Sequence, residues 1–265
     1  MSNFYSRTRV TMSGGGVVCQ QLRSKLNEGI CYDGASLVAG TAISGYTAST
    51  SDYCFGPTEV LSYPTKPSVL VLGDSIIYGN GDTGFSEPVG PTVFGWPQRV
   101  GYGRYAVTCH GFPGASLFHF LNYPERIPVL RRELAKTKYT HAVLGFGAND
   151  CLTLPSETII SSFTRMINVL AQCGIYNVKI PLILPRTTST DSWATIENQT
   201  PATGFEPGGV RDVVNTWIAA SGRAIDAISA VSIGSAWIPG FSSDGTHPTD
   251  AAAYTAIAGT AESLI

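Results

Sequence analysis

The segment Val-Leu-Val-Leu-Gly-Asp-Ser, residues 69–75, decides the fold of this chain. A short, continuous apolar run that ends at a glycine is typical of a buried strand. The serine therefore lies where a buried strand breaks into a turn. Ligands of open α/β sheets bind at the carboxyl ends of the strands. The segment thus predicts a serine hydroxyl at the ligand-binding edge of a sheet.

Beyond residue 68, short apolar runs alternate with helical patterns, which predicts βα units around a parallel sheet. The predicted strands are 69–72, 105–109, 142–146, 178–184 and 224–228, and the predicted helices are 124–137, 157–172, 210–220 and 249–264. Helix 157–172 has the clearest pattern, because Ile159, Phe163 and Ile167 recur at intervals of four residues. We therefore predict a three-layer α/β/α domain with a five-stranded parallel sheet.

Three later segments supply further polar groups at expected loop positions. They are Gly-Phe-Pro-Gly (111–114), Gly-Ala-Asn-Asp (147–150) and Asp-Gly-Thr-His (244–247). With the first segment they offer a serine hydroxyl, a glycine amide, an asparagine amide and an acid–base pair. A serine hydroxyl becomes a good nucleophile when a base takes its proton and a third group orients that base. The set is therefore that of a serine hydrolase.

Each polar group has an expected role in acyl transfer. His247 is the expected base, because imidazole titrates nearest to physiological pH, and Asp244 can orient it from the same loop. The developing oxyanion needs hydrogen-bond donors. We expect these from the backbone N–H groups of Ser75 and Gly114 and from the side-chain amide of Asn149. Gly114 suits this role because a residue without Cβ allows close approach of a ligand.

The four segments resemble the sequence blocks of the SGNH hydrolase superfamily, also called GDSL esterases, which includes many carbohydrate acetylesterases. The resemblance extends from about residue 68 to the C-terminus. It implies a flavodoxin-like fold and catalysis through an acyl-enzyme. Position by position, it implies Ser75 as nucleophile, His247 as base with Asp244 as its orienting acid, and Ser75, Gly114 and Asn149 as the oxyanion hole.

Two departures from the family pattern leave every catalytic group in place. The first block reads Gly-Asp-Ser-Ile rather than the usual Gly-Asp-Ser-Leu, a conservative change beside the nucleophile. The second block carries Cys109 and His110 where many members have an asparagine before the glycines. Gly111 is consequently the alternative to Gly114 in the oxyanion hole.

The expected activity is that of a serine esterase acting on short-chain acyl esters, with O-acetyl groups on carbohydrate as the favoured substrate. Two Gly/Pro-rich loops, 79–95 and 186–209, are expected to shape the site, and no lid-like amphipathic helix is evident. Tyr78 and Trp193 are the predicted substrate-binding residues, although such aromatics can also simply pin a loop to the domain. A lipase-like esterase, an aryl esterase or a thioesterase is the alternative enzyme. A non-catalytic binding module of a larger assembly is the alternative outside enzymes.

Composition narrows the choice of partner. The chain has 265 residues, of which 43% are hydrophobic and 14% charged, and a net charge of −2. This charge gives no electrostatic case for binding nucleic acid or an anionic membrane. No apolar run approaches the ~20 residues of a membrane span. The first residues lack an apolar core, so no signal peptide is predicted and the localisation stays open. The expected partner is a small-molecule or polysaccharide ester.

Residues 1–66 differ in composition from the rest of the chain, being rich in Gly, Ser and Thr. We predict a small β-rich appendage there, followed by the hydrolase domain at 67–265, with Pro64 and Pro67 near the boundary. The segment is short for an independent sandwich of about 100 residues. It is a candidate for contact with a larger assembly.

The six cysteines contain no C-x-x-C pair, so the spacing of a zinc site is missing. We accordingly predict neither a metal nor any other cofactor. Free thiols are expected at Cys109, Cys151 and Cys173. A disulfide among Cys19, Cys31 and Cys54 is an open alternative to three further free thiols.

Overall fold

The structure is a computed structural model that describes residues 21–22, 53–54, 67–83, 85–86, 92–93, 95–101, 104, 106–135, 139–261 and 265. The chain divides into two units, one of Met1–Ser62 with Phe85–Thr92 and the other of Tyr63–Gly84 with Val93–Ile265. In the first unit, the short strands Gln21–Leu22 and Tyr53–Cys54 pair antiparallel. Most of the predicted appendage lies outside the described residues, so the appendage and its boundary stay predictions.

The second unit contains the predicted five-stranded parallel sheet. Its strands are β1 (Ser68–Gly73), β2 (Ala106–Gly111), β3 (His141–Gly145), β4 (Asn177–Pro181) and β5 (Ala224–Ile225). They lie in the order β5-β4-β3-β1-β2, and every neighbouring pair is parallel. This is the flavodoxin-like order, in which the connections change direction between β1 and β3 and leave a ligand-binding crevice. Ser75 follows β1 at that crevice.

The described residues also form helices and shorter strands. The helices are α1 (Ser75–Tyr78), α2 (Trp96–Gly101), α3 (Leu117–Asn122), α4 (Arg126–Leu134), α5 (Ser156–Gln172), α6 (Val210–Ala220) and α7 (Ala251–Thr260), with a 3₁₀ turn at Asp150–Leu152. Two-stranded sheets pair Phe85–Ser86 with Thr92–Val93, Thr187–Ser189 with Gln199–Pro201, and Ser232–Ile233 with Ala236–Trp237. None of the helices in the described segments is long and apolar enough to cross a membrane.

Alternate side chains of β1 enter two different cores. Leu70 and Leu72 belong to a cluster that includes Phe163 of α5, whereas Val69 and Val71 belong to a cluster with residues of α1, α2 and α7. Because strand side chains alternate between faces, each face of the sheet is covered by its own helices. The predicted three-layer α/β/α architecture is therefore confirmed.

Three central strands end in glycine at the same level of the sheet. Gly73 lies opposite Gly111 of β2 and Gly145 of β3. A Cβ at Gly73 or Gly145 would clash with the side chain of Ile77 in α1. The absence of these side chains therefore lets α1 pack directly onto the strand ends, with Ser75 at its beginning.

Two predicted strands are shorter than their apolar runs suggested. Strand 178–184 ends at Pro181, because the side chain of Asn215 takes both backbone groups of Ile183 at 2.8 and 3.1 Å. Strand 224–228 ends at Ile225, because the Asp226 carboxylate accepts the N–H of Ile228 at 3.0 Å and turns the chain. Side-chain hydrogen bonds replace the ladder in both places.

Candidate active site

Ser75 is held at the first position of α1 by its neighbours. Asp74 caps the helix, its carboxylate accepting the N–H of Ile76 at 2.9 Å, and Gly79 ends it in the left-handed region at φ 90°. The first N–H groups of a helix have no partner within it. In the described part of the structure, the Ser75 N–H likewise has no hydrogen-bond partner. It is therefore available to a ligand beside its own hydroxyl.

The serine, histidine and aspartate form a continuous hydrogen-bonded chain. Ser75 Oγ lies 2.8 Å from His247 Nε2, and His247 Nδ1 lies 2.6 Å from Asp244 Oδ2. A proton on Nδ1 leaves the Nε2 lone pair facing the hydroxyl. This is the geometry in which imidazole can accept the proton of an attacking serine.

The Asp244 carboxylate both folds the loop of residues 244–247, called the acid–base loop below, and orients the imidazole of His247. Asp244 Oδ1 accepts the backbone N–H of Thr246 at 2.7 Å and of His247 at 2.8 Å, while Oδ2 faces the imidazole. Burial works to raise the pKa of Asp244, but the hydrogen bonds from the His247 side chain and from these two backbone groups outweigh it. The pKa of Asp244 is consequently well below its ordinary value, and the carboxylate stays ionised.

Gly114 lies in a turn that its glycine makes possible. The Ala115 N–H donates to the Phe112 C=O at 3.0 Å, and Gly114 has φ 77°. A type II turn requires positive φ at its third residue. A Cβ at Gly114 would meet nothing within 4 Å, and no partner for its N–H occurs among the described residues. A Cβ at Gly111, by contrast, would clash with the backbone of Tyr78.

Asn149 stands beside the Gly114 turn. Its Nδ2 donates to the Ala115 C=O at 2.9 Å, which joins the third block to the second. An amide nitrogen carries two hydrogens, so one donor remains for a ligand. The two predicted oxyanion donors beyond Ser75 are thus held by one hydrogen bond between their loops.

Asp150 holds the same two loops together from below. It is fully buried, and its carboxylate accepts the Ser116 hydroxyl at 2.7 Å and the N–H groups of Leu117 and Phe118 at 3.1 Å. Ser116 itself caps α3 by accepting the His119 N–H at 3.3 Å, and Asp150 adds acceptors for the first N–H groups of the helix from a distant point of the chain. Asp150 therefore positions the loops that carry Gly114 and Asn149 and does not itself face the serine.

Comparison with known proteins identifies the family of this chain. Residues 71–253 match the GDSL-like lipase/acylhydrolase family. The chain belongs to this family. The resemblance of its four blocks to SGNH hydrolases is thereby confirmed. No curated protein matches the sequence.

Several solved structures resemble this GDSL-like hydrolase. One is assigned to the lipolytic G-D-S-L family of Desulfitobacterium hafniense DCB-2, with 15% identity, a TM-score of 0.52, and coverage of 76% of this chain and 100% of that one. A lipase/acylhydrolase from Enterococcus faecalis has 18% identity, a TM-score of 0.47, and coverage of 73% and 92%. A mutant acetyl-xylooligosaccharide esterase from Geobacillus stearmophilus has 12% identity, a TM-score of 0.48, and coverage of 76% and 94%. The similarity to the Desulfitobacterium hafniense structure is one of fold.

The two predicted substrate-binding aromatics of the GDSL-like hydrolase differ in surroundings. Tyr78 is 40% exposed at the end of α1, one turn after the serine. Trp193 is half-buried, and its indole N–H donates to Thr187 Oγ1 at 2.9 Å. Tyr78 is therefore open to a ligand, whereas Trp193 already bonds within the protein. Their contact with substrate stays a prediction for both.

Phe112 was not predicted, although it borders the same site. It is 57% exposed, and its N–H donates at 3.0 Å to the C=O of Gly73, which lies two residues before Ser75. Its position between the strand-ending Gly111 and the Pro-Gly turn was a signal that could have found it. Within the predicted loop 79–95, the side chains of residues 84–94 lie outside the described residues.

Three cysteines have side chains that the structure describes. Cys109, Cys151 and Cys173 are free, as predicted, and burial raises the pKa of Cys109 and Cys151 to about 12. The described residues include no group of three or more His, Cys, Asp or Glu side chains that could hold a metal ion. The side chains of Cys19, Cys31 and Cys54 lie outside the described residues, and the disulfide alternative with them.

Asp74 is a buried carboxyl group whose pKa is unusually high. It is 2% exposed, and burial raises its pKa to about 7, with the charge of Asp150 adding to the rise. The hydrogen bond from Ile76 and the proximity of His247 only partly oppose this. The native protein therefore holds a proton on Asp74 at pH values where the unfolded chain has released it.

This proton should make the stability of the protein depend on pH. The free energy of unfolding should fall as pH rises from about 4 to about 7, because the native state binds more protons there, by a total on the order of 4 kcal/mol. Asp74→Asn keeps an acceptor for Ile76 and should abolish most of this slope. Chemical denaturation at pH 5 and pH 8 measures the difference.

Asp226→Asn is the matched control for that measurement. Burial works to raise the pKa of Asp226, but the hydrogen bonds from Ser229 and Ile228 outweigh it and lower the pKa. The contribution of Asp226 is thus complete above its unfolded pKa, and its removal should leave the slope between pH 5 and 8 unchanged. Equal slopes in the wild type and Asp74→Asn would show that another group holds the proton.

Proposed function

We propose that this protein is a serine esterase that hydrolyses short-chain acyl esters through an acyl-enzyme, with O-acetyl groups on carbohydrate as its substrates. The observation that carries the proposal is the hydrogen-bonded chain from Ser75 Oγ to His247 (2.8 Å) and on to Asp244 (2.6 Å). Ser75 follows the carboxyl end of a central strand, and ligands of open α/β sheets generally bind at that edge.

In the first half-reaction, Ser75 Oγ attacks the ester carbonyl carbon while its proton passes to His247 Nε2. The carbonyl oxygen becomes an oxyanion and accepts hydrogen bonds from the N–H groups of Ser75 and Gly114 and from the Asn149 amide. The tetrahedral intermediate then collapses, the C–O bond to the alcohol breaks, and the alcohol leaves with the proton from His247. Each oxyanion donor is worth about 100- to 1,000-fold in rate.

In the second half-reaction, a water molecule attacks the acyl-Ser75 carbonyl and gives its proton to His247. The same donors stabilise the second oxyanion. Collapse releases the carboxylic acid and returns the proton to Ser75 Oγ. Asp244 remains ionised throughout and stabilises the imidazolium formed in each half.

The exposure of the catalytic groups supports a short acyl chain. The side chains of Asp244 and His247 are 52% and 21% exposed, and Gly114 is exposed as well. Full burial of a methylene would contribute about 0.8 kcal/mol, and an open site offers little surface for it. A long acyl chain would therefore gain little over an acetyl group.

The aromatic rim supports a carbohydrate as the alcohol part. Tyr78 and Phe112 are both exposed, and Gly111 brings the two backbones together, since its Cβ would clash with Tyr78. Aromatic rings offer a large, rigid apolar face, and the tyrosine adds a hydroxyl at its edge. Such a pair suits the face of a sugar ring next to the scissile ester.

A substrate panel tests the proposed function. It comprises p-nitrophenyl esters from C2 to C12 and acetylated polysaccharides, assayed for p-nitrophenol and acetate, with Ser75→Ala as the blank. We expect kcat/KM to be higher for the acetyl than for the octanoyl ester, together with release of acetate from at least one acetylated glycan. A preference for C8 or longer without acetate release would favour the lipase-like alternative.

Phe112→Ala is expected to weaken carbohydrate substrates selectively. Loss of the ring should raise KM for an acetylated oligosaccharide about tenfold and leave p-nitrophenyl acetate nearly unchanged, because the small ester does not reach the rim. Tyr176→Ala is the control, since Tyr176 is 70% exposed but lies before β4 at the amino end of the sheet. Equal effects of Phe112→Ala on both substrates would contradict a sugar-binding role.

A further inference from the structure

Hydrogen bonds of Gly245 hold the acid–base loop in place. The Gly245 C=O accepts the Thr187 N–H at 2.9 Å and the indole N–H of Trp237 at 3.0 Å. Its own N–H donates to Ser242 Oγ at 2.9 Å, and that hydroxyl donates to the His247 C=O at 2.9 Å. The loop is therefore bonded from beneath at the residue that follows Asp244 and again at His247.

Trp193 forms part of the surface on which this loop rests. A Cβ at Gly245, where φ is 72°, would clash with the Thr187 C=O and come within 2.7 Å of Trp193 Cζ2. The indole thus lies in direct contact with the Gly245 backbone. Its N–H donates to Thr187 Oγ1, the residue whose backbone N–H also holds Gly245.

Gln199 completes the network beneath the loop. It is buried, and its Oε1 accepts the Thr187 hydroxyl at 3.2 Å and the Trp237 backbone N–H at 2.9 Å. Its Nε2 donates to the Trp237 C=O at 2.8 Å. The amide therefore links the two residues that donate to Gly245. A buried network with every member satisfied holds one arrangement rigidly.

The backbone at Trp193 has a strained conformation that local hydrogen bonds hold in place. Ser192 and Trp193 both have φ 59°, a left-handed conformation that is unfavourable for a bulky side chain. The conformation is held by the Trp193 N–H, which donates to Ser189 Oγ at 2.9 Å, and by the Asp191 carboxylate, which accepts Ser189 Oγ at 2.7 Å. Such strain persists where the surroundings enforce it, often near functional sites.

We propose that Trp193 and Gln199 are positioning residues that set the orientation of Asp244 and His247 toward Ser75 by fixing Gly245. The inference rests on the proposed esterase function. It gives Trp193 a place beneath the acid–base loop instead of contact with the substrate. A displacement of about 1 Å at reacting groups can cost about 100-fold in rate, which makes such support measurable.

Trp193→Phe removes the indole N–H and keeps an aromatic ring, and Gln199→Met removes the amide at similar length. For each, kcat should fall about 10- to 100-fold on both p-nitrophenyl acetate and an acetylated oligosaccharide, with KM within about twofold. The rate of fluorophosphonate labelling should fall by the same factor. Trp217→Phe is the control, because Trp217 stacks on Phe163 in the other core and should leave all three values unchanged.

A second pair of variants keeps the test independent of folding. Thr187→Val removes the hydroxyl that joins Trp193 to Gln199 while keeping the side-chain shape, and should lower kcat like the first variants. Thr187→Ser restores the hydroxyl and should recover most of kcat. The kinetic constants are compared only among variants that unfold as cooperatively as the wild type, so that a misfolded protein cannot produce the same result.

Two results would overturn the inference. If Trp193→Phe raised KM for the oligosaccharide alone, Trp193 would contact the substrate. If Thr187→Val and Gln199→Met left kcat unchanged, the network would have no role in catalysis. These results presuppose an active wild type. A wild type that hydrolyses none of the esters would instead contradict the proposed function itself.

Discussion

Replacement of Ser75 by alanine should abolish ester hydrolysis and covalent labelling by fluorophosphonates. Loss of the nucleophile in a serine hydrolase typically lowers kcat by about 10,000-fold or more. The expected loss is this large because the Ser75 hydroxyl faces His247 Nε2, at 2.8 Å. Activity with p-nitrophenyl acetate and labelling of the intact protein are the two measurements.

The fold should survive this substitution. The helix cap that forms the turn runs from Asp74 to the Ile76 N–H and does not involve the serine hydroxyl. Alanine is also a better helix former than serine. The free energy of unfolding should therefore change little, which separates loss of chemistry from loss of structure.

Ser243→Ala is the matched control. Ser243 is an exposed serine next to Asp244, and its oxygen accepts only the hydroxyl of Thr249, at 3.0 Å, among the described residues. Its removal should leave activity and labelling intact. Labelling of Ser75→Ala at the wild-type rate would disprove the assigned nucleophile. A wild type that neither hydrolyses esters nor reacts with the probe would favour the non-catalytic binding module.

The central strands were predictable because their sequence carries the signal directly. β1 and β3 are continuous apolar runs whose alternate side chains fill two cores, and the predicted bounds of these two strands lie within one residue of the observed ones. The ends of β4 and β5 were not predictable in the same way. There the apolar run continues, but Asn215 and Asp226 take the backbone hydrogen bonds.

Two short helices near the site, α1 and α3, were missed for a different reason. α1 has four residues, too few for a periodic pattern, and it forms because Asp74 caps it and Gly79 ends it. The short helix α3 has a local cap in Ser116, but its first N–H groups also bond to Asp150, which lies 33 residues away from Leu117. The part of the cap that Asp150 supplies leaves no local trace in the sequence.

The pairing of Asp244 with His247 was easier to predict from the sequence than the hydrogen bonds that hold their loop. Asp244 and His247 lie three residues apart in the sequence, and the Asp244 carboxylate bonds to the backbone of Thr246 and to the backbone and side chain of His247. The bonds that fix Gly245 come from Thr187 and Trp237, and Gln199 joins these two from another element. Only folding brings these groups together. The sequence pattern could therefore suggest Trp193 as an aromatic residue near the site, but it could not show that the indole contacts Gly245.

Asn149→Ala should lower kcat about 100-fold, within a range of about 10- to 1,000-fold, while KM changes little. The reason is that a donor aimed at the oxyanion matters chiefly in the transition state, when the negative charge has formed. The hydrogen bond to the Ala115 C=O, 2.9 Å long, holds the amide beside the Gly114 turn before substrate arrives. Steady-state kinetics with p-nitrophenyl acetate measures both constants.

Two further variants separate the donor from the support that Asn149 gives to the turn. Asn149→Asp keeps the size but replaces the donor by a negative charge, so it should lose at least as much activity as alanine. Asn122→Ala is the control, because its Nδ2 likewise donates to a backbone carbonyl, that of Phe118 at 2.9 Å, at the far end of α3. If Asn149→Ala instead raised KM and left kcat unchanged, the amide would bind the ground-state substrate, and Ser75 and Gly114 alone would have to stabilise the oxyanion.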